Sequence, residues 1–366
     1  VPLKVMFWGT YDPSVPRNAI LIRGLRANGI EVLELNRVVW KGLGSGSTNK
    51  IIKVVQLAVG YLIAFPVLIA KFLFSKKPDV VIIGYLGIFD TYVFWLLSKI
   101  SGVPFFWDVY ISLYNTVVED RRLVSKTSLI ARALYHFEST ALRLPDKVFI
   151  DTEVHKQYLC ESFGLDTSRA FFVHVGADDS IFQPGIQTRS TENVIKVLFY
   201  GSLIPLHGIE TILGAIERSA PGTIHWTIVG SGQEQAKLET FLESYRGTDV
   251  DWVPWLNHDE LLMEIWATHV CLGIFGATEK AARVIPNKVY QAILCGKPVV
   301  TRCSPALFEL EDRTNIWSSV AGDSAGLLAG IHDAAIAEVE LSSFYSDQVR
   351  PDYVVKPLVY QLKELE

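Results

Sequence analysis

Short, continuous apolar runs alternate with longer segments of helical period along nearly the whole chain. Lys4 to Trp8, Glu31 to Leu35, Asp79 to Ile83, Val103 to Trp107, Lys147 to Ile150 and Phe171 to Val175 read as strands. Runs of this kind suit strands buried on both faces, and helices between them predict parallel sheets covered on both sides. Helices are expected over Asn18 to Asn28, closed by Gly29, and over Phe89 to Ile100 and Ser128 to Leu144. The alternation breaks into polar, Pro- and Gly-containing sequence between Phe182 and Glu192 and then resumes. Strands are expected at Ile195 to Tyr200, Ile224 to Val229, Val250 to Val253, Val270 to Gly273 and Pro298 to Thr301, with helices starting near Gly208, Gln233, His258 and Pro286. The pattern predicts an α/β protein of two doubly wound domains, 1–182 and 194–340, joined by a linker at 183–193. Residues 341–366 are expected to be helical and to cross back to the first domain. Hinged domains of this type leave a crevice at the carboxyl ends of their strands, where ligands bind.

Composition adds little to that class, but charge does. The 366 residues suit two domains, and 49% hydrophobic content is that of a globular chain. The net charge of −5 conceals a basic start: residues 1–77 hold eleven Lys and Arg against Asp12, Glu31 and Glu34, so 11 − 3 = +8, leaving −13 for the rest. A basic region in an acidic protein points to an anionic partner. No nucleic-acid module accompanies it, so an anionic membrane surface is the better fit and nucleic acid is not expected. Ile51 to Phe74 carries only Gln56 as a strongly polar side chain between Val54 and Ala70, the lower limit for a span of roughly 17–25 residues. Pro66, Lys53 and Lys71 weigh against spanning, which leaves a helix of the first domain or one that dips into the membrane interface. The apolar run in Val1 to Gly9 passes straight into folded sequence and is not read as a signal peptide, so the expected location is cytoplasmic, at most peripheral on the inner membrane face. Cys160, Cys271, Cys295 and Cys303 form no CxxC pair, and neither a zinc site nor any other metal cluster is expected.

The chemistry concentrates in strand-to-helix turns of the second half. Gly201 and Ser202 follow one strand, and His207 and Gly208 open the next helix; glycine there permits close approach to phosphate, and a helix start favours negative charge. Gly230, Ser231 and Gly232 form a second such turn, open enough for a flat ring or ribose. The third runs from Phe275 through Arg283 to Pro286, Asn287, Lys288 and Gln291, then Gly296, Lys297 and Pro298. Pro286 suits a first helical turn, placing Asn287 and Lys288 at the positive helix end with Gln291 one turn on. A cation, an amide and free N–H groups together make a cradle for diphosphate and ribose.

The order of these motifs resembles the GT-B glycosyltransferases, and specifically glycosyltransferase family 4. The resemblance covers nearly the whole chain and is most specific from Phe199 to Thr301, where Tyr200-Gly201-Ser202, Val229 to Gly232, Trp255-Leu256 with His258 to Leu261, and Asn287 to Gln291 through Gly296-Lys297-Pro298 fall in the family's order. It implies two Rossmann-like domains facing each other across a cleft, and retaining sugar transfer from a nucleotide diphosphate sugar. The donor is then a co-substrate, with no other cofactor and no metal. Two departures stand out. Ser202 and His207 occupy the positions of the family's first-loop Arg and Lys. Arg283 and Gln291 occupy those of its paired glutamates, so Arg283 and Lys288 are expected to replace the missing cations. The acceptor side is expected at Gly9, Asp12, Arg17 and Asn18, with Arg17 either meeting an anionic acceptor or capping the surface. Tyr110 and Asn115 are placed on that side too, and Asp108, at a strand end, is the catalytic candidate for orienting the acceptor. Glu119 to Arg122 reads as a solvated charge run, and His155 and His174 as structural. The basic first region and the apolar helix favour a lipid-linked or membrane-proximal acceptor in cell-surface polysaccharide assembly. A catalytically silent nucleotide-sugar-binding protein and a GT-B sugar epimerase remain the rival readings.

Overall fold

The computed structural model describes residues 3–39, 50–185, 194–337 and 347–365, so most of the expected linker and the start of the 341–366 segment lie outside the described residues. The chain forms two compact units: Val1–His174 with Pro351–Glu366, and Val175–Arg350. The division falls before the expected position at 182, because residues 175–182 are tied to the end of the second unit. The Ala177 N–H donates to the Val349 carbonyl at 2.8 Å, and Asp179 meets Arg350 at 3.5 Å.

The first unit contains β1 (Lys4–Gly9), α1 (Pro16–Ala27), β2 (Glu31–Asn36), α2 (Lys50–Phe74), β3 (Val80–Ile83), α3 (Ile88–Ser101), β4 (Phe105–Asp108), α4 (Leu129–Ala141), β5 (Lys147–Ile150), α5 (Glu153–Phe163) and β6 (Ala170–Phe172). Its parallel strands lie in the order β2-β1-β3-β4-β5-β6. Alternation along β1 sends Met6 and Trp8 into one core and Val5 and Phe7 into the other, so both faces of the sheet are covered. One cover is α2, docked through Ala64, Leu68 and Phe72. The other is α1 with the C-terminal helices Pro351–Val354 and Lys356–Lys363, which bring Val354, Val355, Leu358, Val359 and Leu362 into the core.

The second unit contains β7 (Ile195–Tyr200), α6 (Ile209–Arg218), β8 (Ile224–Val229), α7 (Gln235–Ser244), β9 (Val250–Val253), α8 (His258–Ala267), β10 (Val270–Leu272), α9 (Glu279–Arg283), α10 (Asn287–Leu294), β11 (Val299–Arg302), β12 (Ile316–Ser319) and α11 (Ser324–Ile336). The strand order is β12-β11-β10-β7-β8-β9, all parallel. Several elements differ from the sequence expectation. The basic stretch before Pro286 holds a short helix, α9, because Thr278 caps it by accepting the Ala281 N–H. Pro286 itself is the N-cap of α10 rather than its first residue, with extended backbone (φ −71°, ψ 148°). β12 and α11 complete the sheet beyond the last expected strand.

Candidate functional site

In each sheet the chain reverses its direction of winding once, and the turns beside that point are where open α/β sheets bind ligands. In the first unit the reversal lies between β1 and β3, in the second between β7 and β10. The two points are built very differently.

In the first unit the turns are closed by their own side chains. Asp90, fully buried at the start of α3, accepts the Thr10 N–H at 3.1 Å and the Thr10 hydroxyl at 2.8 Å. Burial pushes its pKa up to about 7, the two Thr10 bonds opposing the shift. The Asp90 side chain fills the space beside Gly9, where a Cβ would stand 2.9 Å from its carboxyl carbon and φ is +132°. The Asn18 amide donates to the carbonyls of Asp12 (3.0 Å) and Tyr85 (3.2 Å), and its oxygen accepts the Tyr85 N–H. Asp12 closes its own turn by accepting from the Ser14 N–H and hydroxyl.

The expectations for Arg17 and Asp108 are corrected. The two residues are each other's partners: Arg17 Nε and Nη2 donate to the two Asp108 oxygens at 2.9 and 3.1 Å, with both side chains fully buried. Nη1 donates to the carbonyls of Val173 (2.7 Å) and His174 (3.0 Å). Both side chains are shut away from solvent and paired with one another, so this pair fixes β4 to α1 and the end of β6. Burial raises the Asp108 pKa, Arg17 counters that, and the nearby Asp151 charge adds to the rise. Tyr110 lies over this pair, 5.4 Å from the guanidinium, with its ring edge-on to Tyr85 at 5.1 Å. Its φ of 45° is left-handed, a strained setting for an aromatic residue, in a turn closed by the Ile111 N–H on the Val109 carbonyl.

Asn115 is also internal. It opens a π-helical turn, Asn115–Asp120, and its amide donates to Glu119 (2.7 Å) and to the Tyr158 hydroxyl (3.2 Å), which itself donates to Glu119 (2.6 Å). Glu119 is therefore not part of a solvated charge run. Burial would raise its pKa, but the bonds from Tyr158 and Asn115 outweigh that and lower it. His155 Nδ1 lies 2.7 Å from Asp151. His174 Nδ1 lies 3.1 Å from the Asp151 carbonyl oxygen.

The reversal point of the second unit is built from glycine-bearing turns packed on one another around a buried cation. Gly201 (φ +137°) and exposed Ser202 lead to a 3-10 turn, Pro205–His207, and then to Gly208 (φ +65°) at the start of α6. This turn pairs with the one after β10, the Phe275 N–H donating to His207 O at 3.0 Å and the Gly276 N–H to Leu206 O at 3.2 Å. A Cβ on Gly208 would stand 2.5 Å from the Gly276 nitrogen. Gly230 and Gly232 serve the same end. Their Cβ atoms would run into the carbonyl oxygens of Gly201 and Leu203, so these glycines let one turn lie on the other, rather than only making room for a ligand ring.

Lys288 sits within this frame. It is buried in the first turn of α10, and its Nζ lies 3.9 Å from the centre of the Phe199 ring with no hydrogen-bond partner among the described residues. A Cβ on Gly201 would come within 3.0 Å of that nitrogen. Desolvation holds its pKa well below the usual lysine value. His207 is its neighbour: burial first, and then the Lys288 charge, push the imidazole pKa well down, and Nδ1 bonds the Ser202 carbonyl. His207 thus stands neutral here and supplies no cation. Gln291 is half-buried one turn beyond Asn287 on α10. Arg283 ends α9, with its guanidinium mostly buried and 3.6 Å from the exposed Glu279 carboxylate. Lys297 is bound up in the fold, donating to the carbonyls of Trp266 (2.7 Å) and Thr268 (2.8 Å). Sequence reasoning missed Arg302, which bonds the carbonyls of Gly276 and Thr278 and so holds the turn after β10. The available signal was its place at the carboxyl end of a strand flanking the reversal.

A buried ammonium without a partner is costly unless an anion joins it, and the first N–H groups of α6 and α10 point the same way electrostatically. Residues 195–335 match the family model described as Glycosyl transferases group 1. The matched stretch spans most of the second unit, which is similar to the group 1 glycosyl transferases. No curated protein matches the chain. Sucrose-phosphate synthase (tll1590) from Thermosynechococcus elongatus superposes with a TM-score of 0.71 at 16% identity, covering 100% of this chain and 98% of that one. HepE (Alr3699) from Anabaena, solved with UDP, superposes at 0.68 and 15% identity, covering 99% and 100%. The catalytic domain of starch synthase IV from Arabidopsis thaliana gives 0.69 at 12%, covering 100% and 99%. These likenesses establish the fold, which is that of the GT-B glycosyltransferases, and the matched stretch supports glycosyl transfer as the activity.

Proposed function

We propose that this glycosyltransferase binds the diphosphate of its donor between the Gly201–Gly208 turn and the start of α10, with Lys288 as the principal cation. The observation that carries the reading is the buried Lys288 Nζ, without a hydrogen-bond partner among the described residues, at the reversal point of the unit that carries the group 1 match. Asn287 and Arg283 flank it, and Gln291 reaches the ribose. Negative charge that develops on the leaving diphosphate as the sugar bond breaks is stabilised by Lys288 and by helix-start N–H groups already in place. Because His207 is held neutral, the site relies on α10 for the charge that the first turn lacks.

The resemblance to family 4 supports retention of anomeric configuration, with the leaving phosphate assisting deprotonation of the acceptor hydroxyl, and no cofactor beyond the donor. HepE has been solved with UDP-glucose, which makes UDP-hexoses the first donors to test. The acceptor is read as lipid-linked or membrane-proximal, reached at the cytoplasmic face of a membrane in surface polysaccharide assembly, on the basic first region and the apolar helix α2. The test is a thermal-shift screen of nucleotide diphosphate sugars, then transfer to lipid-linked acceptors with and without EDTA. A retained product formed in EDTA is expected. Donor binding with neither hydrolysis nor transfer would make the chain a silent binder, and a changed sugar without acceptor would make it an epimerase.

A further inference from the structure

We infer that the outer faces of α2, α3 and α4 form a single lipid-docking surface on the first unit, with α2 lying in the plane of an anionic bilayer rather than crossing it. The inference rests, for its biological sense, on the membrane-proximal acceptor reading, but its observations belong to the first unit alone.

Helix α2 is long and apolar enough to cross a membrane, and only 17% of its most apolar window is buried. It cannot leave the domain to do so. Ala64, Leu68 and Phe72, one turn apart along one side, are embedded in the same core as Met6 and Trp8. The Trp8 indole also donates to the Leu68 carbonyl at 3.4 Å. Among the described residues nothing covers the remaining side: Val55, Val59, Leu62 and Leu73 are exposed, Leu62 by 74%, and Phe74 at the end by 92%. A wholly apolar groove of about 560 Å³ runs along the flank between Ala58 and Ile69.

An aromatic row ties this helix to its neighbours. Tyr61 of α2 lies 5.2 Å from Phe89 of α3, and Phe89 lies 5.4 Å from Phe137 of α4. The outer sides of those helices are also apolar, with Ile100 exposed by 78% on α3 and Leu129 by 80% in the first turn of α4. An apolar area of this extent is unusual on a free surface and marks an interaction site.

Charge selects the occupant. Exposed basic residues stand at the ends of these helices: Lys71, Lys76 and Lys77 at the end of α2, Lys99 at the end of α3, and Arg121, Arg122 and Arg132 around the start of α4, with Lys126 there paired to Glu119 at 3.5 Å. Apolar side chains that enter the acyl boundary, with cations that meet headgroups, are the pattern of a helix lying in a membrane interface. A protein partner with an apolar face has no need of so many cations at the helix ends.

The test uses the full chain with phosphatidylcholine vesicles, with and without phosphatidylglycerol. Wild type should sediment with anionic vesicles, be released by alkaline carbonate, and bind neutral vesicles less. Leu62→Glu combined with Leu129→Glu should weaken binding by about tenfold or more with an unchanged melting temperature, since both side chains are exposed. Lys76→Glu with Lys77→Glu should weaken it several-fold in low salt and less in high salt. Absence of vesicle binding, equal binding by the variants, or resistance to carbonate would overturn the inference, as would a soluble dimer dissolved by the same substitutions without any lipid binding. UDP binding measured on the same preparations separates the two readings. Its loss with lipid binding intact removes the donor assignment and leaves the docking surface standing.

Discussion

Lys288 Nζ stands 3.9 Å from the centre of the Phe199 ring, with no hydrogen-bond partner among the described residues. An aromatic face supplies some attraction for the cation but cannot replace its hydration. Lys288→Met keeps the length of the side chain and removes the buried charge. The variant is expected to fold at least as stably as wild type and to bind UDP or a UDP-sugar about ten- to a hundredfold more weakly, from loss of one charge-assisted contact. Thermal denaturation reads the stability and calorimetric titration the affinity, and unaltered donor affinity would remove Lys288 from the site.

The same residue predicts a pH effect on binding. The Lys288 pKa in the free protein is well below the usual value, through desolvation, and a bound diphosphate would raise it again. Donor binding should therefore take up a proton and weaken as pH rises through the free-protein pKa. Titrations in buffers of different ionisation enthalpy should show that uptake in wild type and its loss in Lys288→Met.

Asp90 gives a stability signature. Its pKa is raised to about 7 in the folded state by burial, against an ordinary 3.8. Between those values the folded state holds the extra proton, so its contribution is complete below pH 3.8 and is lost as pH rises through about 7. Asp90→Asn keeps both contacts to Thr10, since the hydroxyl can accept from the amide. Urea midpoints across this range should fall with pH less steeply in the variant than in wild type.

Arg17 and Asp108 form a buried, doubly bonded pair. Removing either partner should cost about 3–5 kcal/mol in urea denaturation, because the other charge is left buried and unpaired. Arg17→Met with Asp108→Leu should cost clearly less than the sum of the single variants. UDP binding by the second unit should survive in all three variants that fold, and single variants as stable as wild type would show that the pair does not hold these elements together.

Gly230→Ala tests the contact between turns. A methyl group there meets the Gly201 carbonyl on a backbone at φ +139°. A loss of about 1–3 kcal/mol or more is expected, together with weakened donor binding as the Gly201 turn is pushed aside. A variant as stable as wild type would show that the two turns are not held in contact.

Much of the fold is legible in the sequence, and the particular elements show why. Lys147–Ile150, Ile195–Tyr200, Ile224–Val229 and Val250–Val253 begin and end where the apolar runs do. β12 was missed because an Ile-Trp-Ser-Ser strand at a sheet edge carries no continuous apolar run. α11 contains Gly326 and Gly330, which lower helix propensity. The value of Gly330 emerges only in the fold, where a Cβ would stand 3.1 Å from Val300. The site divides similarly. The turns that carry Gly201, Gly208, Gly230 and Lys288 are marked by composition, but that Lys288 is buried against Phe199 follows from packing. The partnership of Arg17 with Asp108 spans 91 positions and exists only once β1 and β4 share a sheet, so the sequence shows two polar residues facing a ligand where the fold has joined them.

The first unit is assembled from two stretches of chain separated by the whole of the second, 350 − 175 + 1 = 176 residues. At roughly 5–20 residues per second of synthesis, its first 174 residues emerge some ten to thirty-five seconds before the helices that carry Val354, Val355, Leu358, Val359 and Leu362. For that interval the nascent domain has an open seam along α1, beside Ile20, Leu21 and Leu25. The second unit, continuous in sequence, can close first, so the later-made half of the molecule is the earlier to finish.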